Sequence, residues 1–317
     1  IVAIGKDALY HQNVHSTVGV GAGAGYFSSG SANVYVGTYA GYYQGSGTSN
    51  TYVGDSAGRG FGLSVATANT GNTGIGGSAL YKITTGGHNT VVGGSAGNNV
   101  TTGTYNVLVG KEAGQYVFKT SYNTHLGSQA GRYASGSKNT FVGHRAGKGS
   151  DSAPYASGIM NTAIGNDAMR SLTTGYRNVS IGHRAGENIR TGYGNTYIGG
   201  YRTGYYNQAG HSNVGIGSSA IGADANTYVN ELVAVGVAAG ALTAGNVGDT
   251  DGNVYVGYNA GYSNVSGSGL TFLGFKAGQN ATGSYNTFLG YQTGQGYAGA
   301  AATTGGNNTA IGYQSMQ

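Results

Sequence analysis

The stretch NTFVGHRAG at residues 139–147 returns almost unchanged as NVSIGHRAG at residues 178–186. The His-Arg pairs that both stretches contain, His144–Arg145 and His183–Arg184, would suggest a duplicated active site if the pattern stopped there. It does not stop there, because the pattern Asn-Thr-x-Val-Gly-x-x-Ala-Gly can be followed from Gly5 to Gly312. Self-similarity at a fixed period is the signature of a repeat architecture. Residues 1–317 are therefore predicted to form a single repeat array.

The first Gly of the pattern, called the motif Gly below, recurs 18 times, and its commonest interval is 17, as from Gly76 to Gly93. The aligned residues are Gly5, Gly19, Gly37, Gly54, Gly76, Gly93, Gly110, Gly127, Gly143, Gly165, Gly182, Gly199, Gly217, Gly236, Gly257, Gly274, Gly290 and Gly312. Each copy is predicted to form one rung, meaning one turn of a coil, with two short strands and two turns. The fold class that follows is all-β, a parallel β-solenoid or β-roll of about 18 short rungs.

The positions around the motif Gly predict which side chains face inward. The residue directly before the motif Gly is aliphatic in every copy. The residue three places before the motif Gly is Thr, Val or Ser. Residues two apart in a strand face the same way, so these positions predict an inward column of small β-branched side chains. The position between them varies freely, which predicts outward-facing aromatic residues there, including Tyr35, Tyr52 and Phe141. A side-by-side partner chain would cover such residues.

An Asn opens the motif in 14 of the 18 copies, and the exceptions are Ile1, His15, Leu232 and Leu270. Asn tolerates left-handed backbone and hydrogen-bonds its own turn. Because the copies stack, these amides are predicted to form a ladder from rung to rung. Three residues after the motif Gly comes Ala in 15 copies, followed about four residues later by a second apolar position such as Val100, Val117 or Ile189.

Four intervals between motif glycines lengthen to 21 or 22 and predict loop insertions near 59–71, 148–160, 241–252 and 295–306. Insertions in a repeat array form loops, and loops often carry the contacts with partners. The binding candidates are therefore Tyr155, Asp249 and Asp251 in these loops, together with the aromatic residues predicted to face outward, Tyr35, Tyr52 and Phe141.

Composition excludes several classes of protein. The chain has 65 Gly but one Pro, which excludes collagen, and it has no Cys, which excludes a disulfide framework and is compatible with an extracellular location. The net charge of +5 is scattered, so nucleic acid is not expected as a partner, whereas weak attraction to anionic surface glycans is. Membrane insertion is not predicted, since no apolar run approaches the length of about 18 residues that a membrane span needs.

Catalytic and metal sites are not predicted. The two His-Arg pairs occupy positions that hold Asp55–Ser56 or Lys111–Glu112 in other copies, so no rule fixes a catalytic partner. The sequence GDTDGN around Asp249 and Asp251 resembles the start of a calcium loop but lacks the later ligands, which favours a plain turn over calcium or a carbohydrate contact. Ice binding through Thr rows is disfavoured because Thr is predicted to face inward. We expect no enzyme activity, no cofactor and no metal.

The strings NTAIGNDAMRSLTTGYRN (161–178), NTFLGYQTG (286–294) and NNTAIGYQSMQ (307–317) resemble the repeats of bacteriophage tail fibres, particularly those upstream of a self-cleaving C-terminal chaperone domain. They are similar, more loosely, to the head repeats of trimeric autotransporter adhesins. The commonest repeat in this chain is longer than the usual adhesin repeat, which favours the phage branch. The resemblance implies a side-by-side homotrimer, extracellular or on a virion tail, that spans distance and contacts a host surface glycan or receptor.

Three functions remain open from the sequence. The first is a structural and adhesive fibre segment without catalysis. The second is a self-assembling extracellular filament, suggested by ends that start and stop inside a motif; those ends predict either a fragment of a longer fibre or end-to-end stacking. The third is a polysaccharide-degrading tailspike, which would bring carboxylates together in a groove within about 10 Å of one another.

Overall fold

A computed structural model of the chain describes residues 1–11, 15–62, 68–151, 155–222, 228–242, 252–264, 266–296 and 305–316. The fold is an all-β solenoid with 18 short parallel strands, one in each copy of the motif, which confirms the predicted fold class. The described residues contain no helix. The chain forms two compact units, Ile1–Ile159 and Met160–Gln317, and the same motif runs through both.

Each strand has three residues, and within a unit each strand pairs in parallel with the next one along the chain. Unit 1 contains β1 (Val2–Ile4), β2 (Val18–Val20), β3 (Val34–Val36), β4 (Thr51–Val53), β5 (Thr73–Ile75), β6 (Thr90–Val92), β7 (Val107–Val109), β8 (Thr124–Leu126) and β9 (Thr140–Val142). Unit 2 contains β10 (Thr162–Ile164), β11 (Val179–Ile181), β12 (Thr196–Ile198), β13 (Val214–Ile216), β14 (Val233–Val235), β15 (Val254–Val256), β16 (Thr271–Leu273), β17 (Thr287–Leu289) and β18 (Thr309–Ile311).

The pairing corrects the predicted alignment of the second copy. Gly19 lies in the middle of β2, opposite Ala3 and Tyr35, so it is not the motif Gly. That position belongs to Gly21, whose φ of +130° matches the +134° of Gly37. Thr17, rather than His15, therefore takes the position of the opening Asn. The sequence VGVGAGAG offers several equivalent glycines, and only the pairing distinguishes them.

The predicted direction of the strand side chains is wrong. Tyr35, Tyr52 and Phe141, expected to face outward, are fully buried, whereas the flanking strand residues are half-buried or exposed. The interior therefore holds large aromatic rings and not only Val, Ile, Thr and Ala. The physical reason lies in the Asn that opens the motif: its amide is buried, and the strand centre two residues later shares its face.

Variation at the strand centre is tolerated because a second position in the same rung compensates for its volume. A large centre is accompanied by Gly four residues after the motif Gly; a Cβ on Gly147 would lie 2.5 Å from ring atoms of Phe141. In three copies with a small centre that position is large: Gly74 with Leu80, Ala163 with Met169, and Gly215 with Ile221, whereas Ser180 and Ala234 are accompanied by Gly186 and Gly240. The free variation therefore reflects exchange of volume within a packed interior and not exposure.

The predicted asparagine ladder is confirmed. In unit 1 the Oδ1 of Asn33 accepts a hydrogen bond from the backbone N–H of Asn50 at 2.8 Å, and the pattern continues through every copy to Asn139. Unit 2 repeats it from Asn161 to Asn213, whose Oδ1 accepts the N–H of Leu232. The left-handed residue is the one before the Asn, such as Tyr105 with φ +57°, and not the Asn itself.

The second strand predicted for each rung does not form in the described residues. The far side of the rung shows isolated bridges only, between Ser28 and Gly45, Thr48 and Thr70, Ala134 and Ala156, and Tyr176 and Tyr193. The Ala after the motif Gly and the second apolar position are buried as predicted, for example Ala96 and Val100. Each rung is therefore one strand closed by turns.

Four of the wide gaps between successive strands fall where insertions were predicted. They separate β4 from β5, β9 from β10, β14 from β15 and β17 from β18. The middle of each insertion, at 63–67, 152–154, 243–251 and 297–304, lies outside the described residues.

Candidate functional site

The outward surface of the strands is uncharged in both units, with one aliphatic column and one column of Thr and Val. The third residue of every strand is Ile, Val or Leu, and the first is Thr or Val, so each unit presents two outward columns of nine side chains. We call these columns the strand face. None of its side chains is buried: Ile75 is 40% exposed and Leu273 44%. A soluble chain rarely leaves a contiguous surface of aliphatic side chains uncovered.

Aromatic residues extend the strand face in unit 2. Tyr258, Phe275, Tyr291 and Tyr313 each follow a motif Gly and stack on one another at centroid distances of 5.0–5.2 Å. All four are exposed. Because each is two residues after the aliphatic end of a strand, the four rungs combine an aliphatic and an aromatic side chain at the surface.

Tyr155, predicted as a loop residue that contacts a ligand, belongs to an aromatic surface cluster in unit 1. Its ring lies 5.1 Å from Tyr116, 5.7 Å from Phe118 and 5.9 Å from Tyr133, measured between centroids. These four residues are called the Tyr155 cluster below. Tyr116 and Tyr133 come from equivalent positions of successive copies, so the rung spacing brings them into a stack at 5.0 Å.

Charged groups surround the Tyr155 cluster. The guanidinium of Arg132 lies 5.0 Å from the ring centroid of Tyr133, pairs with Glu112 at 3.1 Å and donates from Nε to Gln115 at 2.9 Å. Lys148 lies 5.6 Å from the same ring and pairs with Asp151. Aromatic rings beside fixed cations offer both a flat apolar contact and hydrogen-bond donors, the combination that small polar ligands require.

A second aromatic cluster lies near the start of unit 1. Tyr10, Tyr26 and Tyr42 stack at 5.1–5.2 Å, and beside them His11, Phe27 and Tyr43 stack at 4.9–5.5 Å. The guanidinium of Arg59 lies 5.4–5.9 Å from the ring centroids of four tyrosines, Tyr39, Tyr42, Tyr43 and Tyr81. These residues were not predicted as site residues, although the dipeptides 10–11, 26–27 and 42–43 recur every 16 residues in the sequence.

The other predicted site residues are placed differently from expectation. Burial raises the pKa values of the Tyr35 and Tyr52 hydroxyls, which bond to Ser28 and Asn69 inside the unit. Together with Phe141 they are interior residues and cannot touch a ligand on the surface of their own unit. Asp249 and Asp251 lie outside the described residues.

The repeated His-Arg pairs are positioned by the turn after the motif Gly. His183 stacks on Tyr201 at 6.0 Å, and Arg184 donates to Glu187 and to the hydroxyl of Tyr205. The hydrogen bond with Glu187 raises the pKa of the Arg184 guanidinium. In the described ranges no three His, Cys, Asp or Glu side chains come together as metal ligands.

Comparison with protein-family models and with curated protein sequences found no match for the chain. Among the residues with described positions, no helix is long and apolar enough to cross a membrane.

Proposed function

We propose that the chain is a structural and adhesive segment of an extracellular or virion fibre, similar in role to a bacteriophage tail fibre, in which three copies associate side by side. The observation that carries the proposal is the strand face. Its aliphatic column is uninterrupted through nine strands in each unit, although an exposed position has no internal reason to exclude polar residues.

The size of the strand face fits an interface between copies. The face of one unit comprises 18 side chains that are half-buried or exposed, close to the roughly 20–30 residues that one partner contributes to a standard protein interface. It carries no charged side chain, which is the composition of an interface centre and not of a solvated surface. In this proposal the strand face replaces the aromatic residues of the strand centres as the surface that a partner covers.

The adhesive part of the proposal rests on the Tyr155 cluster. Its rings and the neighbouring Arg132 and Lys148 lie on the turn side of the rung, so they remain accessible when strand faces are covered. Aromatic stacking with nearby hydrogen-bond donors suits a host surface glycan. Neither association nor this contact requires a catalytic residue.

Absolute mass, measured by light scattering over a concentration series, tests the association. We expect the mass of three chains at all concentrations. A mass that rises with concentration would favour the self-assembling filament instead, and the mass of one chain would contradict the proposal.

Val107→Lys, placed on the strand face, is the variant that connects this mass to the surface. Val107 is 37% exposed, so the lysine can be solvated and the single chain still folds. In the assembled state its charge would be buried without a partner, which costs several kcal/mol. Val107→Lys should therefore give single chains, whereas Thr102→Lys, at an exposed position of the turn in the preceding rung, should leave three.

A further inference from the structure

A cleft of 290 Å³ opens on the surface of unit 2. Arg202 and Tyr206 line it on one side and Tyr262 on another, while Ser219, Ala238 and Ala241 contribute small side chains between them. This volume holds one or two sugar rings, at the lower end of the usual size of small-molecule sites.

The cleft arises from a departure from the repeat. Arg202, Ser219 and Ala238 occupy the same position, directly before the buried Thr203, Ala220 or Ala239, in three successive rungs; their left-handed φ values are +51°, +57° and +54°. The rung that carries Arg202 and Tyr206 is followed by two rungs that contribute Ser219, Gly222, Ala238, Ala241 and Leu242, and the next rung carries Tyr262. Apart from Leu242, the side chains that these two rungs contribute are small, which leaves a notch about two rung spacings wide, on the order of 10 Å.

Arg202 is placed by an extra residue in its rung. β12 starts at Thr196 and β13 at Val214, one position more than the commonest spacing between strands, and the buried position that is Ala in most copies becomes Thr203. The Arg202 guanidinium lies 4.9 Å from the Tyr201 ring centroid and 5.0 Å from that of Tyr205, which hold it against the surface.

The charge of Arg202 is not compensated within the described residues. Arg184, at the same position one rung earlier, pairs with Glu187. Arg202 has no carboxylate within ion-pair distance in the part of the chain described, and its Nε–H is shielded from water without an acceptor. A guanidinium held by two rings at the edge of a cleft is preorganised for a planar anion.

We propose that this cleft binds a carboxylate-bearing sugar residue, with the carboxylate on Arg202 and the ring between Tyr206 and Tyr262. The inference extends the proposed function, since it names the chemistry of the glycan that the fibre would contact, and it assigns that contact to a second place besides the Tyr155 cluster. The small floor residues leave room for the sugar ring, and the guanidinium selects for the charge.

The test measures binding by titration calorimetry with two matched pairs of probes. Trigalacturonate is compared with α-1,4-linked galactotriose, and 3′-sialyllactose with lactose, so that each acidic sugar has a neutral counterpart and the two pairs distinguish uronic from sialic acid. We expect at least one acidic probe to bind, its neutral counterpart to bind about tenfold more weakly or not at all, and the affinity to fall as salt is raised.

Arg202→Gln should weaken binding of the acidic probe about tenfold or more, and Tyr262→Ala should weaken it as well. The matched control is Arg177→Gln, because Arg177 also has a left-handed φ, +55°, and lies beside a tyrosine ring, yet it is exposed and away from the cleft. Thermal melting checks that each variant is folded.

Three results would each overturn the inference. They are equal binding of acidic and neutral probes, no binding of any probe, and an equal loss of affinity in Arg202→Gln and Arg177→Gln. Measuring the same probes on Val107→Lys separates it from the proposed assembly, because the cleft is formed by described residues of one unit. Single chains that still bind the acidic sugar would support the cleft whatever the fate of the trimer.

Discussion

The imidazole of His125 lies at the centre of β8, fully buried and stacked on Phe141 at 5.0 Å. Within the described part of the chain, neither Nδ1 nor Nε2 has a hydrogen-bond partner. Burial without a partner disfavours the charged form and lowers the pKa of His125 from 6.5 to about 3. We therefore expect this interior side chain to make its own contribution to the pH dependence of the stability.

The direction of the effect follows from proton binding. Above pH 6.5 the imidazole is neutral in both the folded and the unfolded chain, so it contributes no pH dependence. Below pH 6.5 the unfolded chain takes up a proton that the folded chain refuses until about pH 3. The free energy of unfolding therefore falls by about 1.4 kcal/mol per pH unit in this window, which is about 2 kcal/mol at pH 5.

The variant that isolates this contribution is His125→Phe, since Phe141 and Phe288 already occupy strand centres. Urea unfolding at pH 8, 6.5, 5 and 4 should show wild type losing stability faster than the variant below pH 6.5, and the difference removes the common contribution of the carboxylates. His144→Phe, at an exposed turn, should follow the wild type. Parallel curves for wild type and His125→Phe would refute the unpaired, neutral imidazole.

Three further substitutions test the interior, each by thermal and urea unfolding. Asn89→Ala should lower the free energy of unfolding by about 2–5 kcal/mol, because it leaves the carbonyl of Gly103 and the N–H of Asn106 without partners. An unchanged unfolding midpoint would mean that water replaces the lost hydrogen bonds of the asparagine ladder. Gly147→Ala should lower the free energy of unfolding by several kcal/mol, because the added Cβ would lie 2.5 Å from the Phe141 ring and the backbone at residue 147 has a φ of +54°. The control Gly94→Ala should be nearly neutral, since a Cβ there meets nothing within 4 Å. Gly74→Phe and Leu80→Gly should each destabilise alone and partly restore each other in the double variant; additive effects would contradict volume exchange within the rung.

The period, the parallel solenoid and the asparagine ladder could be predicted from the sequence because they depend on residues that recur at the same place in each copy. Invariance predicts the wrong direction for the strand, because the invariant positions of this repeat are not interior positions. The invariant aliphatic residues, such as Ile75, are partly exposed, and the variable Tyr52 is buried.

Two signals in the sequence could have corrected that prediction. Asn50 and Tyr52 are two residues apart, so a buried amide at one places the other inside as well. The exchange between Gly74 and Leu80, repeated at Ala163 and Met169, shows that the strand centre shares a packed space with another position. By contrast, the cleft beside Arg202 and the ring contacts of Tyr155 depend on insertions and on residues from several rungs, which a single repeat does not encode.

The asparagine ladder also bears on how such a chain can change in the course of evolution. In the described residues a ladder amide such as Asn89 bonds to its own rung and to the neighbouring rungs, so a duplicated or deleted copy restores the same bonds at the junction. Recombination between the coding sequences of two copies therefore lengthens or shortens a unit by whole rungs without exposing its interior. The number of copies becomes a variable that selection can adjust independently of the fold.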